Sequence, residues 1–201
     1  MDAVKDIKAG LRKRGYAARK AAYAKDRVAV GAMSLAARDH LLAARLHTGA
    51  EIVSGYCPIR TETDVMPLMT ALHAAGHRLC VPVIEAAGQP LRFREWSPEA
   101  ELVDGPFGAR VPANGEWLEP QFLIAPLVAF DRQCWRLGYG GGFYDRTLER
   151  LRAKRRTIAV GFAYAAQQIE QVPRDPTDQQ LDGVVTEQGL IRPELSSGSA
   201  G

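Results

Sequence analysis

The chain has 201 residues, 46% of them hydrophobic and 24% charged, with a formal net charge of +3. That balance excludes wholesale disorder, and the absence of any 18-residue apolar run excludes a membrane-spanning helix. Charge is uneven: residues 1–27 carry nine Lys or Arg against three Asp, and the remainder is net acidic, so the N-terminal segment is either a solvated basic face or a surface for an anionic partner.

In chain order, residues 3–24 read as a helix, with Val4, Ile7 and Leu11 spaced i, i+3, i+7 and an Ala-rich continuation. A second helix runs over 31–47 with Leu35, Leu42 and Leu46 on one face. Residues 51–56 form a short strand closed by Pro58. Asp64 caps a helix that carries Met66, Leu68, Met69 and Leu72 and stops at Gly76. Residues 78–84 form a strand whose internal Pro82 argues for a strand end or an edge, and 91–96 alternate as another strand. Residues 97–120, rich in Gly and Pro, read as loop. Phe122-Leu-Ile-Ala-Pro-Leu-Val-Ala-Phe130 is apolar throughout, as in a strand covered on both faces. A glycine-rich loop at 136–142 precedes a helix over 143–153, a strand over 157–163 and a last strand at 183–186. Residues 196–201 read as a disordered tail behind a single domain, 1–195. Strands alternating with helices argue for an α/β fold with a mostly parallel sheet flanked by helices.

The strongest chemical signal is Phe130-Asp-Arg-Gln-Cys-Trp-Arg-Leu-Gly-Tyr-Gly-Gly-Gly-Phe-Tyr-Asp-Arg146. A buried strand leads into four glycines and then a helix, which places free backbone N–H groups and a helix N-terminus where anions bind. Arg136 and Arg146 flank the loop, and a guanidinium fork suits phosphate or carboxylate. The loop is neither a Walker A motif, since no Gly-Lys-Ser/Thr follows, nor a dinucleotide fingerprint, which would need a third Gly at Phe143. Asp145, in the first turn of the helix, is either a favourable dipole contact or a Mg²⁺ ligand. Asp178 and Asp182 stand at i, i+4 and could share a helix face, with surface positions as the alternative. Glu62 lies just past a strand end, either as a ligand contact or as helix-capping chemistry. Phe93, Trp96 and Phe107 are candidates for stacking on a planar heterocycle or for the core.

His40, His47, His73 and His77 have no metal-ligand spacing. Cys57, Cys80 and Cys134 form neither CxxC nor an even framework, so a reducing cytoplasm is the expected compartment. The charged start, Met1-Asp2-Ala3-Val4-Lys5-Asp6, lacks the apolar stretch of a secretory signal. With no G-x-S-x-G and no Cys/His pairing, covalent nucleophilic catalysis is not expected.

Lys8-Ala-Gly-Leu-Arg12, Tyr56-x-Pro-x-x-x-Glu62-x-Asp64, Phe107-Gly108, Pro126-Leu-Val-Ala-Phe-Asp-Arg132 and Arg136-Leu-Gly-Tyr-Gly-Gly-Gly-Phe-Tyr-Asp-Arg146 together resemble the 5-formyltetrahydrofolate cyclo-ligase family. Gly161-Phe-Ala-Tyr164, Gln167, Pro173, Asp178, Asp182 and Thr186 extend the resemblance over about residues 5–190. It implies a three-layer, Rossmann-like fold of the NagB/RpiA/CoA-transferase-like kind. It also implies an ATP- and Mg²⁺-dependent conversion of 5-formyltetrahydrofolate to 5,10-methenyltetrahydrofolate through a phosphorylated formyl intermediate.

On that resemblance, Lys8, Arg12, Arg136, Leu137, Gly138, Tyr139, Gly140, Gly141, Gly142, Phe143 and Tyr144 correspond to the ATP site. Cys57, Glu62, Trp96, Tyr139, Gly140, Gly141, Gly142 and Phe143 correspond to the folate site. Arg136, Tyr144 and Arg146 correspond to catalytic positions, and Asp145 and Asp178 to the Mg²⁺ ligands, with Asp182 in support. The partners implied are 5-formyltetrahydrofolate and ATP, with no nucleic acid and no membrane, acting on a monomer. The sequence departs from the family pattern at Cys134, where Gly is usual, at Phe143, where Tyr is frequent, at Val111, where a carboxylate is usual, and before Asp178, where a His is common. A non-catalytic relative that binds folate or nucleotide, and an α/β enzyme acting on a phosphorylated sugar or thioester, are the competing readings.

Overall fold

A computed structural model of the chain describes residues 2–29, 31–46 and 49–194. His47 and the tail 196–201 lie outside the described residues, as does the side chain of Phe107. The elements in chain order are α1 (Asp2–Val28), α2 (Ala32–Ala44), β1 (Ile52–Ser54), α3 (Met66–Ala74), β2 (Arg78–Val83) and β3 (Arg92–Trp96). There follow β4 (Leu102–Asp104), β5 (Arg110–Pro112), β6 (Trp117–Leu118), β7 (Phe122–Ala125), β8 (Ala129–Phe130) and β9 (Arg136–Leu137). The chain continues with α4 (Phe143–Lys154), β10 (Ile158–Phe162), β11 (Gly183–Thr186) and β12 (Gly189–Ile191), and single 3₁₀ turns stand at Pro106–Gly108 and Ala165–Gln167.

Eight strands form the main sheet in the order β12-β11-β10-β7-β1-β2-β3-β6. The five from β11 to β2 run parallel, and β12, β3 and β6 add antiparallel edges. The buried strands alternate with period two. Phe122 and Ile124, Leu79 and Val81, and Val160 and Phe162 pack under α2 and α3, while Leu123, Cys80 and Ala159 pack under α4. These two cores make the expected three layers. The strand order reverses between β1 and β7: α3 connects β1 to β2 in one direction, and α4 connects β7 to β10 in the other. Right-handed crossovers of opposite direction must put their helices on opposite faces, and that leaves a crevice beyond the carboxyl ends of β1 and β7.

The first helix belongs to neither flanking layer. Its buried stripe is Lys8, Leu11, Gly15, Arg19, Ala22 and Asp26, so three of its six residues are charged. Of the apolar spacing expected from Val4, Ile7 and Leu11, Leu11 lies in this stripe and Val4 is half-buried beside it, whereas Ile7 is 53% exposed. The stripe meets the loops beyond β7 and β10. Gly15 lies against the Val128 backbone. Asp26 accepts from the Met33 N–H at 2.8 Å and from the Ser34 hydroxyl and Tyr164 Oη, which ties α1 to α2 and to the chain beyond β10.

Other differences have local causes. On α2 the buried row is Ser34, Ala37 and Leu41, and Leu35, Leu42 and Leu46 flank it half-buried. The apolar run 122–130 is two strands, because Pro126 ends β7 and the chain turns off to pair β8 with β9. Pro82 sits within β2, beyond the Cys80 position where pairing with β1 stops. Residues 97–120 contain the β4–β5 hairpin and β6, and the short β12 follows Gly189. Residues 173–182 are not helical, so Asp178 and Asp182 share no helix face. Cys134 adopts φ +60°, a conformation that glycine takes without steric penalty and that a side chain adopts only with strain. No helix among the described residues is long and apolar enough to cross a membrane.

Two glycines on α1 separate packing from propensity. A Cβ at Gly15 would stand 2.7 Å from the Val128 carbonyl oxygen, whereas nothing lies within 4 Å of one at Gly10. Gly10→Ala should stabilise the fold by about 1 kcal/mol, the ordinary helix gain. Gly15→Ala should destabilise it despite the same propensity gain. Urea denaturation of the two variants checks the opposite signs.

Candidate functional site

The crevice at the sheet's carboxyl end is a cleft of about 370 Å³. Its walls come from Glu62 and its neighbours after β1, Ile84 after β2, Pro126 to Val128 after β7, Tyr16 and Arg19 of α1, and Arg136 with Gly138 to Asp145. Concavities of about 460 Å³ at the amino end of β2 and about 520 Å³ beside α1 are larger but more open, and neither sits at the strand-order reversal.

The glycine loop bridges β9 and α4. Gly140 and Gly142 take left-handed φ values of +111° and +63°, and Gly142 is the N-cap of α4 without any side-chain cap. The first turn of α4 therefore keeps backbone N–H donors for a ligand. The ring of Phe143 lies so close over Gly141 that a Cβ there would stand 2.5 Å from it. The half-exposed Tyr139 ring is 6.1 Å from that of Phe143. Arg146 donates back to the Gly141 carbonyl, and Arg12 Nε donates to the Gly138 carbonyl at 2.9 Å. Leu137 contributes backbone only: its side chain is buried, and its carbonyl accepts from the Val128 N–H at 2.8 Å.

Two charge clusters flank this loop. Arg136 pairs with Asp145 at 2.9 Å, and the same Asp145 oxygen accepts the Gln179 N–H at 3.0 Å. Arg136 also donates to the Gln179 carbonyl. Lys8 Nζ donates to Asp178 at 2.8 Å and to Asp175. Burial lowers the Lys8 pKa, but the hydrogen bonds to Asp175 and Asp178 outweigh it, so the net shift is upward. The structure thus brings Asp145 and Asp178 within one residue of each other through Gln179. Asp182 stands apart from them, accepting from the Ala159 N–H at 2.7 Å and from Arg152, and so fixes this segment to β10.

At the other wall, Glu62 Oε2 accepts the Ile59 N–H at 2.9 Å, and Oε1 lies 3.6 Å from Arg19 Nη1. Burial pushes the Glu62 carboxyl above its usual value, against the pull of the Ile59 N–H and Arg19. The Tyr144 hydroxyl and Arg146 Nε are buried without hydrogen-bond partners, and burial followed by the charge of Glu62 drives the Tyr144 pKa well upward.

Two expected folate contacts are not brought to the cleft. Trp96 is 4% exposed and packs in the core under α3. Phe93 is likewise core. Cys57 is half-buried against the core that holds Trp96, and burial, partly offset by Arg110, raises its thiol to about 11. Sequence reasoning missed Arg19, Asp175 and Tyr16 as site residues. The signal was available: Lys8, Arg12 and Arg19 recur at helical spacing on one face.

The Glu62 shift has a stability consequence. A carboxyl raised on folding contributes stability below its unfolded pKa, near 4.5, and loses it as pH rises through the folded value. The stability of the wild type relative to Glu62→Gln should therefore fall between pH 4 and pH 7, as checked by denaturant titrations at both values.

A profile of the 5-formyltetrahydrofolate cyclo-ligase family matches residues 4–187. The chain is 38% identical over 144 residues to the 5-formyltetrahydrofolate cyclo-ligase of Escherichia coli K12, covering 68% of this chain and 78% of that one. It is 32% identical over 157 residues to the enzyme of that name from Mycolicibacterium smegmatis, covering 73% and 79%. Among solved structures, the 5,10-methenyltetrahydrofolate synthetase of Aquifex aeolicus superposes with a TM-score of 0.75 at 30% identity, covering 94% of each chain. The matched span contains the glycine loop, both charge clusters and Glu62, and this chain belongs to the 5-formyltetrahydrofolate cyclo-ligase family.

Proposed function

We propose that the chain converts 5-formyltetrahydrofolate to 5,10-methenyltetrahydrofolate at the expense of ATP, with Mg²⁺. The observation that carries this reading is a single cleft with an uncapped helix N-terminus behind a glycine loop on one wall and the buried carboxylate of Glu62 on the other. The first wall suits a nucleotide's phosphates, and the second suits the paired N–H donors of a pterin edge.

The formyl oxygen attacks the γ-phosphorus as the bond to ADP breaks, giving an imidoyl phosphate. N10 then bonds to the formyl carbon and loses its proton, and the carbon–oxygen bond breaks to release phosphate. Such transfer needs alignment and charge neutralisation more than covalent help. The amides of Gly138 to Gly142 and the first turn of α4, with Arg136, bind the phosphates, while Lys8 and Arg12 extend the cradle outward. Glu62 accepts from the pterin edge and fixes its orientation, with Tyr139 and Phe143 against the ring. The Tyr144 hydroxyl, at the cleft wall, is a buried donor directed to the transferring oxygens, and Arg146 supports the loop through the Gly141 carbonyl.

Asp145 and Asp178 are the residues that would hold Mg²⁺. They are hard oxygen donors held close together through Gln179, and among the described residues no three His, Cys, Asp or Glu groups converge, so phosphate and water would complete the shell. When bound, the ion supplies charge neutralisation on the phosphate oxygens.

Absorbance in the methenyl-folate band, with 5-formyltetrahydrofolate and Mg²⁺ and with or without ATP, tests the reading: growth is expected only with ATP. Calorimetric folate binding without growth would instead identify a non-catalytic binder. Asp145→Ala should abolish turnover while the fold is retained. Glu62→Ala should raise the folate KM by about tenfold or more and leave the ATP KM within about twofold; equal effects on both would overturn the role of Glu62.

A further inference from the structure

We infer that Arg19 is a positioning residue for the folate end of the cleft, setting a counter-charge beside the Glu62 carboxylate and keeping it aimed. The inference rests on the folate reading above. Arg19 is 5% exposed, although it belongs to the basic helix whose other cations mostly face water. Its Nε donates to Thr61 Oγ1 at 3.2 Å and its Nη1 to the Leu127 carbonyl at 3.4 Å. One guanidinium therefore clasps the loop after β1 to the loop after β7, across the reversal in strand order, with its carbon 5.3 Å from the centre of the Tyr16 ring.

The contact that matters is the longest one. At 3.6 Å from Glu62 Oε1, Nη1 is a charge partner and not a hydrogen-bond donor, so it offsets the buried negative charge without consuming that oxygen's lone pairs. The other oxygen, Oε2, is held by the Ile59 N–H. Glu62 is thereby fixed at one oxygen and left able to accept at the other, which is what a ligand with N–H donors requires. The groups facing it are Arg19 from α1, the Ile59 N–H, and the hydroxyls of Tyr56, Tyr139 and Tyr144. All the hydroxyls are neutral at physiological pH, so the favourable charge comes from α1. No ligand contact by Arg19 itself is needed for this role.

The test is steady-state kinetics of the full chain with 5-formyltetrahydrofolate and ATP varied separately, for wild type, Arg19→Met, Arg19→Lys, Glu62→Gln and the double variant Arg19→Met/Glu62→Gln. Arg19→Met should raise the folate KM by about tenfold or more with the ATP KM within about twofold. Its acid limb in kcat/KM for folate should move up by about one pH unit, because a lost cation favours the protonated carboxyl. Arg19→Lys should recover most of both effects, and the double variant should be no worse than Glu62→Gln alone. An unchanged acid limb, equal rises in both KM values, or additive losses in the double variant would overturn the inference. If Arg19→Met does not fold, the cycle of Arg19→Lys with Glu62→Gln decides on the same criterion of additivity. A wild type that turns over folate while Arg19→Met behaves identically refutes Arg19 alone; a wild type that neither turns over nor binds 5-formyltetrahydrofolate refutes the folate reading and this inference with it.

Discussion

A helix that buries Lys8, Arg19 and Asp26 along one face can dock only where carboxylates, carbonyls and N–H groups wait for it. An uncompensated buried charge costs several kcal/mol, so misdocking α1 anywhere else on the sheet is strongly disfavoured. Its partners are the Asp175–Asp178 turn, the Leu127 carbonyl beside Glu62, and the start of α2 with Tyr164. Each belongs to a loop or helix end that has no regular hydrogen-bond ladder of its own. The site is thus assembled from irregular segments made rigid by a helix lying across the sheet's carboxyl end. Gly15 sets the approach by letting the α1 backbone come against Val128.

Much of the scaffold was legible because periodicity reports burial. The parallel strands at 52–54, 78–83, 122–125, 158–162 and 183–186 all fall within or upon the apolar stretches read from the sequence. Failures came where another constraint outweighed hydrophobicity. On α1 the apolar spacing of Val4, Ile7 and Leu11 marked only part of the buried face, because most of the stripe is specified by polar partners that the local sequence does not contain. In the run 122–130, Pro126 decided the strand end, and uniform apolarity concealed it. Trp96 shows the reverse error: an aromatic suited to stacking is spent on the core, because β3 turns it toward α3. The glycine loop was readable from spacing, and so was the recurrence of Lys8, Arg12 and Arg19 on one face of α1; that two loops distant in sequence meet at the Arg19 guanidinium was not.

The two walls of the cleft follow different electrostatic logic. At the glycine loop the cations Lys8 and Arg136 are satisfied by Asp178, Asp175 and Asp145, so without ligand this wall carries nearly balanced charge. On the proposed reading, a polyphosphate entering here competes with fixed carboxylates for those cations, so binding is an exchange of partners and not the filling of a bare positive patch. Such an exchange limits affinity for stray anions, because a lone phosphate must displace a hydrogen-bonded carboxylate while gaining little else. At Glu62 the logic is inverted. One carboxylate faces one cation at a distance too long for a hydrogen bond, so charge is balanced while acceptor capacity is retained. A ligand that lacks N–H donors then leaves a buried carboxylate unsatisfied, which is the costlier failure and the stronger source of discrimination. On the proposed reading, the selectivity of the cleft accordingly rests more on the wall with fewer charges, where one misplaced guanidinium on α1 would undo it.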